Sequence, residues 1–125
     1  MEIKNAQIKN TSLGTCAHGI FTFTLTLEIS GGFSVDYGLI ALDDYSKTED
    51  KRIGSSIGMQ CIMDIMKVVG VDNWEELKGK YIRIVQNGLG RPINVIGNLM
   101  DDIFYDIKTL KTLKLKEVAK DGSLD

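Results

Sequence analysis

A chain of 125 residues, 43% apolar and 26% charged, has the composition of one globular domain with room for a modest hydrophobic core. Two cysteines and one histidine cannot by themselves supply a four-ligand zinc centre, and a lone histidine leaves multi-histidine metal chemistry without its ligands. The formal net charge of −2 argues against nucleic-acid binding through bulk positive charge.

Glu2 to Lys9 carries Ile3 and Ile8 without a clean period and is expected as a strand. Gly14 and the group Cys16-Ala17-His18-Gly19 mark a loop. Phe21, Phe23, Leu25, Leu27 and Ile29 then alternate with Thr22, Thr24, Thr26 and Glu28, the period of a half-buried strand. After Ser30-Gly31-Gly32, the residues Phe33, Val35, Tyr37, Leu39 and Ala41 alternate in a second strand.

The register of this hairpin follows from its faces. A two-residue Gly31-Gly32 loop would set Ile29 opposite Ser34 and mix apolar with polar residues. A three-residue Ser30-Gly31-Gly32 loop sets Ile29 opposite Phe33, Leu27 opposite Val35, Leu25 opposite Tyr37 and Phe23 opposite Leu39. The apolar sets then share one face, and glycine supplies the left-handed residue such loops need. Continued to the open end, this register sets His18 opposite Asp44.

Asp43 to Arg52 is polar and has no period, so it reads as a surface loop. Gly54-Ser55-Ser56 opens a helix with a serine cap. Ile57 to Val69 is apolar at most positions apart from Gln60, Asp64 and Lys67, and Gly70 is placed to end it. Such a helix is expected to be largely buried, under a curled sheet or a second subunit. Met59, Met63 and Met66 share a face and read as adaptable core packing. Asp72 to Leu77 reads as one capped helical turn, with Trp74 pinning it to the core. Lys80 to Gln86 is a strand with Ile82 and Ile84 facing in. A four-residue turn, Asn87-Gly88-Leu89-Gly90, would pair Ile84 with Ile93 and Ile82 with Val95, and would place Pro92 at a strand start.

Beyond Gly97 the pattern weakens. Ile107, Leu110 and Leu113 have helical spacing, whereas Leu113 and Leu115 also fit a strand. Five lysines, at 108, 111, 114, 116 and 120, against the single Glu117 give residues 107–120 a local charge of +4. The last five residues read as a frayed end. The expected fold is therefore α+β: an antiparallel β-sheet of four to five strands packed on one largely buried α-helix. It occupies residues 1–106 as a single domain, with a Lys-rich C-terminal extension over 107–125.

The chemistry on offer is sparse. Cys16 and His18 would share a face of a strand, but they lack a nucleophile motif, and no catalytic residues are assigned. His18 with Asp43 or Asp44 has two readings: a tie closing the hairpin, or a polar patch for a ligand or partner. Asp43-Asp44 and Asp101-Asp102 point to opposite faces of a strand and read as solvated turns and caps, so no metal site and no cofactor is assigned. Gly88-Leu89-Gly90-Arg91 could present amides and a guanidinium to a phosphate, yet it lacks the phosphate-loop and dinucleotide-binding patterns. Arg83 and Arg91, with Tyr81 and Tyr105, are the parts available for a nucleotide pocket. The lysine-rich end reads as a solvated face. The N-terminal residues have no apolar run of signal-peptide length, and no window approaches the roughly 18 apolar residues of a membrane span. Cys16 and Cys61 fit no disulfide framework and read as reduced thiols of a cytoplasmic protein.

Several segments taken together resemble a small family encoded by phages and prophages. They are Glu-Ile-Lys-Asn-Ala (2–6), His-Gly-Ile-Phe-Thr-Phe-Thr-Leu-Thr-Leu-Glu (18–28), Gly38 with Ala-Leu-Asp (41–43), Gly-Met-Gln (58–60), the stretch from Val68 to Arg83, and Ile-Gly-Asn (96–98). The most specific part is Val-Gly-Val-Asp followed by Trp-Glu and Leu-Lys-Gly-Lys. The family carries no assigned catalytic activity, so no functional residue is transferred. The chain departs from the family at Phe33-Ser34-Val35-Asp36-Tyr37, where a Gly-rich strand is usual, and at its Lys-rich end.

The resemblance implies a phage or prophage protein in a host cytoplasm. The function expected is non-enzymatic: binding and inhibiting a host defence component, for example as an anti-CRISPR-type inhibitor. One alternative is a sponge that sequesters a small signalling nucleotide. Another is a small enzyme using His18 with Asp43 or Asp44. The residues expected to meet a partner or ligand are His18, Asp43, Asp44, Arg83 and Arg91. A host protein is the expected partner, a homodimer is a possible assembly, and no membrane is involved.

Overall fold

Phe21, at the strand's start, is 38% exposed, whereas the expected alternation holds from Phe23 through Leu25, Leu27 and Ile29. In the computed structural model, which describes residues 2–88 and 90–120 (only the backbone at 119 and 120), all four are buried on strand β2 (Phe21–Ile29). Its neighbour β3 (Phe33–Gly38) pairs in the three-residue-loop register, with Ile29 opposite Phe33, Leu27 opposite Val35 and Leu25 opposite Tyr37. Gly38 ends the pairing. Its φ is +111°, and a Cβ there would lie 2.7 Å from the Phe23 ring and 2.8 Å from the Phe23 carbonyl oxygen. The chain turns away at Leu39, whose N–H still donates to the Phe23 carbonyl at 2.8 Å.

Strand β1 (Glu2–Thr15) lies on the other side of β2 and explains its own unclear period. Lys9 is an extra residue between the pairs Ile8–Leu27 and Asn10–Thr26, a β-bulge that shifts the alternation by one. Ile3 and Ile8 also serve different cores. Ile8 joins the main core, whereas Ile3 packs with Val85, Val95, Phe104 and Val118 on the opposite face of the sheet.

The sheet continues through β6 (Tyr81–Gln86), β7 (Val95–Gly97), β8 (Phe104–Asp106) and β9 (Lys111–Leu113) once β4 (Asp43–Ser46) and β5 (Lys51–Gly54) have formed a separate two-stranded hairpin. Its order is β3-β2-β1-β6-β7-β8-β9, seven strands, every neighbouring pair antiparallel. The fold is α+β as expected, but four to five strands is a correction to seven plus the hairpin. β8 and β9 have three residues each, too few to show a period. The hairpin was read as a loop because its apolar residues, Tyr45 and Ile53, are exposed and leave no core signal. Residues 107–118 contribute β9 and the start of helix α2 (Leu115–Lys120), and Val118 is fully buried. Residues 121–125 and Leu89, read above as a frayed end and as part of a turn, lie outside the described residues.

The register of β6 with β7 is a second correction. Ile84 pairs with Ile96 and Arg83 with Gly97, so residues 87–94 form a longer connection than a four-residue turn. Ile93 leaves the ladder and enters the main core, and Pro92, which cannot donate to a ladder, stays exposed.

Helix α1 (Ser56–Val69) covers the main core. The Ser55 hydroxyl caps it by accepting the Gly58 N–H at 2.8 Å, and left-handed Gly70 ends it. Cys61, Ile65, Val68 and Val69 are buried, but Ile57, Met59 and Met63 are 64%, 61% and 54% exposed. The expectation of a largely buried helix is thus corrected. The helix is a single outer layer, and no other element of the described chain covers its outward face. A short helical turn, Trp74–Leu77, follows, with the Asn73–Glu76 capping box and the Trp74 ring edge-on to Phe23 at 5.7 Å.

Candidate functional site

The fold brings a free sheet edge and an apolar groove together. β6 covers β1 only from Glu2 to Gln7, and the last bonds on that side are Ile8 N–H to Lys80 and Gly79 N–H to the Ile8 carbonyl. From Asn10 to Thr15, β1 pairs with β2 alone among the described residues. Leu13 lies in this stretch, opposite Phe23, and is 42% exposed. Its side chain lines a groove of about 220 Å³ together with Phe21, Leu42, Gly58, Met59 and Ile62.

Two local devices shape the groove. Gly58 lets the first turn of α1 lie directly on the chain at Leu42: a Cβ there would meet the Leu42 carbonyl oxygen at 2.4 Å. Asp43 fixes the hairpin to the start of β2. Its carboxylate accepts Arg52 Nε and Nη2, both at 2.8 Å, and the Phe21 N–H at 3.2 Å. The Arg52 guanidinium holds the Asp43 carboxyl below the usual carboxylate range, and Asp43 in turn raises Arg52.

The remaining sequence-derived site residues do not converge. His18 sits in a one-turn helix with φ +64° and is exposed, while Asp44 pairs with Ile53 in the hairpin. No hydrogen bond or ion pair joins His18 to Asp43 or Asp44 among the described residues. The juxtaposition of His18 with Asp44 is therefore a correction: the β2–β3 ladder stops at Gly38, before it could reach them. Arg83 is held within the fold. Its Nε donates to the Asn98 carbonyl and its Nη2 to the Asp101 carbonyl, each at 2.8 Å, and its guanidinium lies 4.7 Å from the Phe104 ring centre. Tyr105 is buried, and burial pushes its hydroxyl well above its usual range, whereas Tyr81 is exposed.

The chain matches no protein-family model, no curated protein and no solved structure. The site therefore rests on its own geometry. Arg91 lines a second groove, of about 380 Å³, with Lys4, Phe33 and Asp36. Lys4 also meets Glu2 at 3.5 Å, so this groove has carboxylates beside its cations. Among the described residues, no group of three His, Cys, Asp or Glu side chains is placed to hold a metal ion. No helix of the described chain is long and apolar enough to cross a membrane.

Sequence reasoning missed Leu13, Phe21 and Met59 as site residues. Met59 was noticed, but as core. The usable signal was the length of apolar surface on α1 beyond what one sheet face can cover.

Proposed function

We propose that this protein acts by binding another protein and occupying its surface, without turnover. The observation that carries this reading is the apolar groove of Leu13, Phe21, Met59 and Ile62 beside the outward face of α1. Methionine lining suits protein contact, because its flexible, polarisable side chain adapts to a partner. Fully burying one large apolar side chain in such a groove contributes roughly 1.5–3 kcal/mol. The finer setting, a phage or prophage inhibitor of a host defence component of anti-CRISPR type, rests on the family resemblance. Two unpaired thiols, Cys16 exposed and Cys61 buried, fit a reducing host cytoplasm.

The test is affinity capture from host lysate with wild-type chain and with Met59→Asp as paired baits. A stoichiometric host protein held by the wild type and lost by the variant is the expected result. Equal recovery with both baits, or a bare chain from both, contradicts the reading.

A second reading keeps one specific observation. Arg91, Lys4 and the exposed Phe33 all line the second groove, a set that suits an anionic ligand with a flat ring, such as a small signalling nucleotide. Asp36 in the same groove opposes it. Arg83 and Tyr105 take no part, being held inside the fold.

A further inference from the structure

We infer that β1 receives its partner by strand addition: an extended segment of the partner protein pairs with Asn10–Thr15 and seats an apolar side chain in the neighbouring groove. This inference rests on the protein-binding reading and specifies the chemistry of that partner.

The hydrogen-bonding phase of β1 can be derived. Cys16 N–H donates to the Ile20 carbonyl at 2.8 Å, one step beyond the Thr15–Phe21 pair that ends the ladder, so this position is a bonded one. Bonded and non-bonded pairs alternate along an antiparallel ladder, which makes Gly14–Thr22 and Ser12–Thr24 the next bonded pairs. Thr11, Leu13 and Thr15 therefore turn their N–H and C=O groups to the opposite side. That side is the one β6 has left at Gln7, and no backbone or side-chain bond reaches those groups among the described residues. The Lys9 bulge lies where β6 departs, and bulges commonly mark the end of pairing on one side of a strand.

The character of the edge supports the same conclusion. Exposed edges are usually guarded by charge, proline or brevity. The outer edge of β3 carries Asp36, and β9 has three residues with Lys111 in it and Lys114 beside it. Asn10-Thr11-Ser12-Leu13-Gly14-Thr15 has no charge and no proline. Its Leu13 side chain also lines the apolar groove with Met59 and Ile62 of α1. A strand laid there has main-chain bonds on one side and a pocket for alternate side chains beside it, the arrangement peptide-binding sheets use.

The experiment pans ribosome-displayed random heptapeptides against the purified full chain. The strongest selected peptide is then studied on the isotope-labelled protein by amide exchange. Strand addition predicts that the Thr11, Leu13 and Thr15 amides gain about tenfold or more in protection. It also predicts that N-methylating alternate amides of the peptide weakens binding by about tenfold or more. A peptide that perturbs the Met59 and Ile62 methyls but leaves those three amides unprotected overturns strand addition and leaves groove binding standing. Failure to select any peptide over an unrelated protein control overturns strand addition, and the Met59→Asp capture experiment judges the broader reading separately. A concentration-dependent dimer that protects the same amides makes a second copy the occupant and also overturns the inference.

Discussion

Arg52 meets Asp43 through two nitrogens, each 2.8 Å from a different carboxylate oxygen, while Asp43 also accepts the Phe21 amide. This pair fastens the β4–β5 hairpin to the first residue of β2, one wall of the groove. Because the folded chain holds the Asp43 carboxyl below its usual range, its contribution to stability is present above the ordinary Asp value of about 3.9. That contribution is lost as pH falls from there through the depressed folded value. Thermal unfolding followed from neutral pH to strongly acidic pH should show an acid-side loss that Asp43→Asn reduces. An acid profile unchanged by Asp43→Asn would contradict the role.

Gly58→Ala tests the close approach of α1 to Leu42. Alanine gains about 1 kcal/mol of helix propensity over glycine. The added Cβ meets backbone, not a movable side chain, at 2.4 Å, and overpacking of this kind costs about 1–3 kcal/mol. The clash should win, giving net destabilisation in urea unfolding. A stabilised variant would show that the helix rides higher than described.

Arg83→Lys should destabilise the fold by about 1–3 kcal/mol, because lysine cannot span the Asn98 and Asp101 carbonyls or lie flat on Phe104. Asn98→Ala should cost a similar amount, since its amide donates to the Val68 carbonyl at 3.0 Å and its oxygen accepts the Met100 and Asp101 amides. Denaturant midpoints measure both. Full stability with lost ligand binding would return Arg83 to a binding role.

His18→Ala should change neither unfolding nor partner capture, because its side chain is exposed and makes no hydrogen bond among the described residues. Loss of biological activity in this variant alone would revive the enzyme reading.

The parts of the fold that were legible in sequence had one buried face and a glycine turn. The β2–β3 register followed from Ser30-Gly31-Gly32 and the alternating apolar residues, and the Ser55 cap and Gly70 stop of α1 were local signals. β1 was obscured because Lys9 shifts its period and because Ile3 and Ile8 serve opposite faces. The β6–β7 register was misread because Ile93 satisfies the core from outside the ladder. The site was harder still. Arg83 looked free because its acceptors, the carbonyls of Asn98 and Asp101, lie in a later turn, and backbone acceptors have no sequence signature. The open edge at Asn10–Thr15 depends on where β6 stops pairing, which only the assembled sheet reveals.

The most direct test of the proposal is amide exchange on the chain bound to a protein recovered by the capture experiment, compared with the chain alone. Binding through the groove and the open edge predicts the largest gain in protection within Asn10–Thr15. Protection confined to residues 30–36 and 90–93, around Phe33 and Arg91, with Asn10–Thr15 unchanged, would contradict it.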